Sequence, residues 1–212
     1  MAITEAPLFE ERCFTLFVNG QPLELMLCSQ GHWRELALGY LLSQGRIGGM
    51  QDVESVGETA DGQGIDVKTR APLRPPAFLT ARLDALPPFP GKADAEDALI
   101  RSLGLALQED APFGRHRAVI VCGEKQAMFD DAGRHNACDK AIGHALLSGW
   151  NLRDCLLGTS GRLSLEMLGK AASSGIPLLF TLKYPSDLCL TYANRLNLRL
   201  IARAAAAQPI RM

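Results

Sequence analysis

One short segment of the chain concentrates the kinds of side chain that bind anions. It runs from Asp130 to Lys140 and reads DDAGRHNACDK, between a predicted strand and a predicted helix. Free backbone N–H groups and the positive end of the helix dipole meet at a helix N-terminus. A plain turn would need the glycine and the asparagine but none of the charged residues. We therefore predict a ligand site formed by Asp131, Gly133, Arg134, His135, Asn136, Asp139 and Lys140.

A second polar loop, from Gly158 to Ser164, repeats this chemistry and reads GTSGRLS. It offers hydroxyls, one guanidinium and backbone N–H groups that small residues leave accessible. It lacks the order of glycines and lysine that defines a P-loop, so an NTPase is not indicated. The simpler interpretation is a helix capped by Ser160 or Ser164. Together the two loops predict a nucleotide or pterin-phosphate site, to which this loop contributes Ser160, Gly161, Arg162 and Ser164.

The elements that must position these loops alternate between strand and helix after residue 117. The predicted strands are 118–122, 126–129, 155–157, 176–182 and 198–202, and the predicted helices are 136–147, 164–173 and 186–195. Short connections between alternating elements predict an α/β/α layered domain with a mostly parallel sheet. Ligands of such sheets bind beyond the carboxyl ends of the strands, where both polar loops would lie.

The first seventy residues predict a small α+β domain. Two strand-like runs, 13–18 and 22–28, flank Asn19-Gly20, a pair typical of a tight hairpin turn. A helix over 33–43 and weaker strands over 53–56 and 65–69 follow. Residues 71–92 contain six prolines and are interpreted as a linker. Residues 93–212 form the second domain, which opens with an amphipathic helix over 94–108 capped by Asp94.

Composition excludes several classes of protein. The chain has 212 residues and a net charge of -1, which gives no basic excess for a nucleic-acid partner. No apolar run is long enough to cross a bilayer, and residues 1–11 do not resemble a secretory signal. None of the six cysteines has C-x-x-C or metal-ligand spacing, so we expect no bound metal. A zinc deaminase would need a P-C-x-x-C element, which the sequence lacks, so that class is disfavoured. A cytoplasmic protein is expected.

Several ordered motifs resemble the formate dehydrogenase accessory proteins of the FdhD/NarQ family. Asp131 to Lys140 is similar to the family signature D-V-G-R-H-N-A-x-D-K, and Ser160 to Ala172 is similar to S-G-R-x-S-x-E-x-x-x-K-A. Other matching segments are Phe17–Gly20, Arg34–Ile47, His116–Ala118 (at the family's H-A-A), Gly175–Pro177 and Pro185–Ser186.

The resemblance implies a function in molybdenum cofactor maturation. Family members are sulfurtransferases that carry sulfur from a cysteine desulfurase to bis-molybdopterin guanine dinucleotide before it enters formate dehydrogenase. Their second domain resembles the cytidine deaminase fold, and guanine nucleotide stands in for the cofactor. By this resemblance the two polar loops and His116 would hold that cofactor or a GDP-like nucleotide as cargo. A formate dehydrogenase, a desulfurase and a second copy of the chain are the expected partners.

The chain departs from the family at the segment expected to carry sulfur. The family has a C-G-x-C loop between its domains, but Thr69 to Gly91 contains no cysteine. A persulfide relay needs a nucleophilic thiolate on an accessible segment. The sequence therefore favours a cofactor-binding assembly factor that lacks this thiol. Two alternatives stay open: a sulfurtransferase that uses another cysteine, such as Cys122, or an interaction protein that has kept only the fold.

Overall fold

The computed structural model describes residues 10–77, 85–87, 93–108 and 114–212, without the side chains of 93–96. Most of the proline-rich segment, and the side chain with which Asp94 was predicted to cap a helix, therefore lie outside what is described. The parts of that segment that are described pack against the rest of the chain. The backbone N–H groups of Arg74 and Ala77 donate to the carbonyls of Arg46 and Gln44, and that of Leu86 donates to Leu196. No helix in the described ranges is long and apolar enough to cross a membrane.

The N-terminal unit is a four-stranded sheet with one helix on its inner face. Its elements are β1 (Glu11–Val18), β2 (Gln21–Ser29), α1 (Trp33–Ser43), a 3₁₀ turn (Met50–Asp52), β3 (Val53–Glu58) and β4 (Gly64–Thr69). The strand order is β2-β1-β4-β3. The predicted hairpin is confirmed, because Asn19 and Gly20 take φ of 53° and 75° between antiparallel β1 and β2. The helix has the predicted bounds.

The C-terminal unit is a six-stranded mixed sheet in the order β10-β9-β8-β7-β5-β6. In chain order its elements are α2 (Ala93–Gln108), β5 (His116–Cys122), β6 (Lys125–Asp131), α3 (Arg134–Leu147), a 3₁₀ turn (Leu152–Asp154), β7 (Cys155–Thr159), α4 (Leu165–Ser174), β8 (Leu178–Thr181), α5 (Asp187–Leu196), β9 (Arg199–Ala202) and β10 (Ile210–Arg211).

The expectation of a mostly parallel sheet is wrong. Only β7, β8 and β9 run parallel, whereas β5 is antiparallel to both β6 and β7, and β10 is antiparallel to β9. The turn between β5 and β6 is too short for the crossover connection that parallel strands need. Gly123, at φ 61°, supplies the left-handed residue of that turn.

Helices cover both faces of this sheet. Val119 and Val121 of β5 contact the α2 side, where Ile100, Leu103 and Leu107 are buried. Ala118 and Ile120 alternate to the other face, against α3, α4 and α5. The result is a three-layer α/β/α arrangement. The further likeness to cytidine deaminases stays a prediction.

The two units share one continuous hydrophobic core, because α1 packs directly on α3. The helices cross where each carries a glycine. A Cβ atom on Gly39 would lie 1.8 Å from the carbonyl oxygen of Asp139, and one on Gly143 would lie 1.8 Å from that of Glu35. Residues of both sheets, such as Phe14 and Leu157, belong to the same buried cluster. The predicted boundaries at residues 70 and 93 stay a prediction.

The helix crossing predicts a strong effect of a single methyl group. Gly39→Ala should lower the free energy of unfolding by about 2 kcal/mol or more, since the backbones must separate to admit it. Urea denaturation measures the change. Gly57→Ala on β3 is the matched control, because a Cβ there meets nothing within 4 Å. Equal stability of the two variants would show that the crossing is looser than described.

Candidate functional site

Four strand ends meet at one edge of the six-stranded sheet. The carboxyl ends of β6, β7 and β8 lie there, and so does the start of β5, because β5 is antiparallel to β6 and β7. Beyond this edge lies a cavity of about 990 Å³. Six of the predicted site residues line it: His116, Arg134, Ser160, Gly161, Arg162 and Ser164. The structure thus brings both polar loops together.

Arg134 reaches this cavity because α3 begins earlier than the sequence predicted. Gly133 is the N-cap, so Arg134, His135 and Asn136 form the first turn. The aliphatic part of the Arg134 side chain lies beside Gly161 of the second loop: a Cβ on Gly161 would be 2.9 Å from Cδ of Arg134 and 3.1 Å from its Cβ. The Nε of Arg134 is buried and has no hydrogen-bond partner among the described residues. It is therefore an unsatisfied donor next to the cavity.

The second loop is held by its own hydrogen bonds. Ser160 and Arg117 exchange two of them: the N–H of Ser160 donates to the carbonyl of Arg117, and the N–H of Arg117 donates to Oγ of Ser160, both at 2.9 Å. The hydroxyl of Thr181 donates to the carbonyl of Gly161, whose N–H donates to Oγ1 of Thr159 at 3.1 Å. These bonds hold Arg162 at the rim of the cavity.

Two helix N-termini open on the same cavity. Ser164 caps α4 by accepting from the N–H of Met167 at 3.4 Å, and Ser186 caps α5 by accepting from the N–H of Cys189 at 3.2 Å. The capping interpretation of Ser164 is confirmed. It does not remove the residue from the cavity, because its backbone lines the wall. The positive ends of two helix dipoles add to the potential there.

Sequence reasoning missed the third loop that builds the cavity. Lys183, Tyr184, Pro185 and Ser186 line it directly after β8. The side chain of Tyr184 is 53 % exposed and presents an aromatic face to solvent. The available signal was the same as in the other two loops, a polar segment that follows a buried strand and precedes a capped helix.

The predicted residues Asp131 and Lys140 do not line this cavity but lie buried beneath it. Oδ1 of Asp131 accepts from the N–H of Gly133 at 3.0 Å and from Nδ2 of Asn136 at 3.1 Å. Its Oδ2 accepts from the N–H of Ser29 at 3.0 Å and pairs with Nζ of Lys140 at 2.7 Å. These groups, which we call the Asp131 clamp, tie the start of α3 to strand β2. Asp131 and Lys140 position the start of α3, and their expected contact with a ligand stays a prediction.

Asp139, His135 and Asn136 lie on a different side of α3, at a smaller cavity of about 300 Å³. At 3.6 residues per turn, Asn136, Asp139 and Lys140 point roughly 120° or more away from Arg134 around the helix axis. Asn136 also donates to the carbonyl of Leu27 at 2.7 Å. The segment from Asp131 to Lys140 therefore contributes to two sides of α3. One side, with Arg134, faces the main cavity, and the other, which we call the structural side, holds the remaining polar residues.

A second buried ion pair joins three helices behind that smaller cavity. Nζ of Lys170 in α4 lies 2.8 Å from Oδ2 of Asp139 in α3, and the hydroxyl of Ser43 in α1 donates to Oδ1 at 2.7 Å. Burial raises the pKa of Asp139, and the charge of Lys170 opposes that rise. Nε2 of His135 lies 3.3 Å from Glu166. Burial, the largest cause, lowers the pKa of His135.

The main cavity is cationic. Arg134, Arg162 and Lys183 line it, with His116 beside them. Burial and then the charge of Arg134 lower the pKa of His116 below its ordinary 6.5, which favours the neutral ring. No acidic side chain lines this cavity among the residues described. Nor does any group of three His, Cys, Asp or Glu residues in that part of the chain have the geometry to hold a metal ion. The arrangement suits an anion such as a phosphate ester.

Fold and site together define a mixed α/β protein with a cationic cavity at a sheet edge. The family model described as the FdhD/NarQ family matches residues 9–83 and 106–209. The match covers most of the chain, which therefore belongs to the FdhD/NarQ family.

Known proteins of similar sequence and fold extend over almost the whole chain. The sulfur carrier protein FdhD of Bacillus subtilis (strain 168) is 29 % identical over 230 residues, covering 94 % of this chain and 83 % of that protein. Sulfur carrier protein FdhD of Anaeromyxobacter dehalogenans (strain 2CP-C) is 30 % identical over 225 residues, covering 86 % and 78 %. A crystal structure described as a formate dehydrogenase accessory protein from Desulfotalea psychrophila superposes with a TM-score of 0.75 at 23 % identity, covering 96 % and 86 %.

The Asp131 clamp predicts a large effect on stability. Lys140→Met should cost about 3–5 kcal/mol of unfolding free energy, since it leaves the carboxylate of Asp131 buried without its cation. Chemical denaturation measures it, and Lys125→Met at an exposed position of β6 is the control. The double variant Asp131→Asn with Lys140→Met removes both charges and should recover part of the loss. A single variant as stable as the control would contradict the clamp.

Proposed function

We propose that this chain is a formate dehydrogenase accessory protein that binds a phosphate-bearing guanine nucleotide ligand in the cavity at the sheet edge. The ligand would be bis-molybdopterin guanine dinucleotide, or a GDP-like nucleotide in its place, held as cargo. The observation that carries the proposal is the convergence of three permanently cationic side chains and two helix N-termini on one cavity. Family membership and the names of the relatives support it.

The cavity has parts suited to each end of such a ligand. Phosphate oxygens would accept from the guanidinium groups of Arg134 and Arg162, in the forked geometry that arginine offers. Tyr184 and Pro185 offer flat, mostly apolar surface against which a planar ring system could stack. The volume of about 990 Å³ lies at the upper end of the range for small-molecule sites, consistent with a ligand as large as a nucleotide.

The described residues favour carriage over chemistry at this cavity. None of the side chains that line it there is a cysteine. Together with a proline-rich segment that lacks cysteine, this supports an assembly factor that holds the cofactor for its target enzyme. A formate dehydrogenase is the partner we propose on this basis. A cysteine desulfurase partner, a homodimer and a cytoplasmic location stay predictions.

The alternative sulfurtransferase that uses Cys122 meets a geometric objection. Cys122 ends β5 and His116 begins it, so the two are six positions apart along an extended strand. At about 3.3 Å per residue this is a distance of roughly 20 Å. A sulfur atom bound to Cys122 would therefore lie far from a ligand in the cavity.

The interaction-protein alternative differs from our proposal in requiring no nucleotide affinity.

The proposal predicts that GDP binds and that two arginines contribute. Arg134→Ala and Arg162→Ala should each weaken binding by about 1.5–3 kcal/mol, the typical contribution of a charge-assisted hydrogen bond. Isothermal titration calorimetry measures the affinity. Arg153→Ala, which removes an exposed cation at the opposite end of β7, is the matched control and should bind normally. Absence of GDP binding by the wild type would reject the site.

The neutral His116 predicts a pH dependence of nucleotide affinity. A bound phosphate stabilises the protonated ring of His116. GDP affinity should therefore rise as the pH falls through 6.5 and below, toward the lowered pKa that His116 has in the ligand-free protein. If the ligand raises that pKa by about one unit, the gain is roughly tenfold. The measurement compares the GDP affinity of the wild type with that of His116→Gln at each pH. Because the nucleotide titrates equally in both experiments, its own titration drops out of the comparison. Parallel curves for the two proteins would remove His116 from the site.

A further inference from the structure

Two cysteines face each other at the end of the sheet opposite the cationic cavity. Cys122 and Cys155 are direct partners in the antiparallel pairing of β5 with β7. Side chains of directly opposite residues in an antiparallel pair lie on the same face of the sheet, so the two thiols are neighbours. Both also point toward the carbonyl oxygen of Asn151, at 3.9 Å from Sγ of Cys122 and 3.4 Å from Sγ of Cys155. Six cysteines are present in the chain and all are free.

We propose that Cys122 and Cys155 form a redox-active dithiol that closes reversibly into a disulfide. Opposite residues of an antiparallel pair have Cα atoms about 4.5–5.5 Å apart. This lies inside the range of roughly 4.4–6.8 Å that disulfides span. The pair is the last one of its ladder, next to the turn at Gly123 and the 3₁₀ turn Leu152–Asp154, so small adjustments there disturb no further strand pairing.

The two thiols differ in accessibility, which assigns them different roles. Cys122 is partly exposed, whereas Cys155 is buried. Burial, followed by the neighbouring Cys122, raises the pKa of the Cys155 thiol. Cys122 is therefore the thiol that an external reagent reaches first. Cys155 becomes a nucleophile only toward the sulfur beside it, where proximity compensates for its small thiolate fraction.

The oxidant we name is a low-molecular-weight disulfide. The thiolate of Cys122 attacks one sulfur of that disulfide, a mixed disulfide forms, and one thiol leaves. Cys155 then loses its proton and attacks Sγ of Cys122, and the second thiol leaves. The protein dithiol is oxidised by two electrons, and the reagent is reduced to two thiols. In a reducing compartment the pair would rest as free thiols, and its disulfide would be transient.

This dithiol goes beyond the proposed function and does not depend on it. Asn151, whose carbonyl oxygen both thiols approach, lines a separate cavity of about 890 Å³ together with Trp150, Leu152, Pro75 and Pro76. Closure of the disulfide would join β5 covalently to β7 beside that cavity.

The chain also contains a natural contrast. Cys13 and Cys28 lie on paired strands β1 and β2, but their register places them one residue apart and on opposite faces of the sheet.

The test is oxidation of the reduced, folded protein with excess glutathione disulfide, followed by intact mass and peptide mapping. We expect loss of two hydrogen atoms and of two titratable thiols, with a crosslink between the peptides of Cys122 and Cys155. Cys155→Ser should stop at one glutathione adduct on Cys122. Cys13→Ser, which removes the exposed cysteine of the other sheet, should form the crosslink as the wild type does.

Two results would overturn the inference. One is a wild type that carries stable glutathione on Cys122 without the crosslink, and the other is reaction at Cys13 alone. Because the decisive measurement uses the wild type, it does not depend on the folding of any variant; Cys155→Ala serves if Cys155→Ser is unstable. GDP affinity measured on the same reduced sample separates failure of the dithiol from failure of the proposed function.

Discussion

The buried carboxylate of Asp131 is the constraint on which the rest of the candidate site depends. A carboxylate has about four lone-pair directions. Here they are taken by the N–H groups of Gly133 and Ser29, the amide of Asn136 and the ammonium of Lys140. A charge this deeply buried is tolerated only when every direction is satisfied. The start of α3 is therefore set at Gly133, and Arg134 is set at the cavity.

The glycine crossing of α1 and α3 makes this arrangement possible. Ser29 belongs to β2 and Lys140 to α3, so the clamp forms only if the two units approach closely. Gly39 and Gly143 allow the backbones to touch. The second ion pair, Lys170 with Asp139, then joins α4 to the same two helices through Ser43. Both polar networks lie on the structural side of α3, which leaves its first residue available to a ligand.

The antiparallel direction of β5 decides what the cavity contains. If β5 ran parallel to β7, His116 would lie at the far edge with the start of β7. Because β5 is antiparallel to β7, His116 lies beside Arg134 and the loop after β7, while Cys122 pairs with Cys155 at the opposite edge. One strand thus places the cationic cavity at one edge of the sheet and the cysteine pair at the other.

Much of the local structure was determined by the sequence alone. The hairpin at Asn19-Gly20, the helix Trp33–Ser43 and the capped starts of α4 and α5 follow from residue types that act over a few positions. Arg134, Gly161 and Arg162, which line the cavity, were also predicted as site residues, because glycine and arginine between a strand and a helix form a local pattern.

Only the tertiary structure decided the rest, because it depends on residues distant in the chain. Asp131 and Lys140 form their clamp with Ser29, a partner more than a hundred residues away in the chain. Sheet register decides three features: the strand directions, the contribution of Lys183 and Tyr184 to the cavity, and the pairing of Cys122 opposite Cys155. Register is set by packing of whole faces, which no short stretch of sequence records.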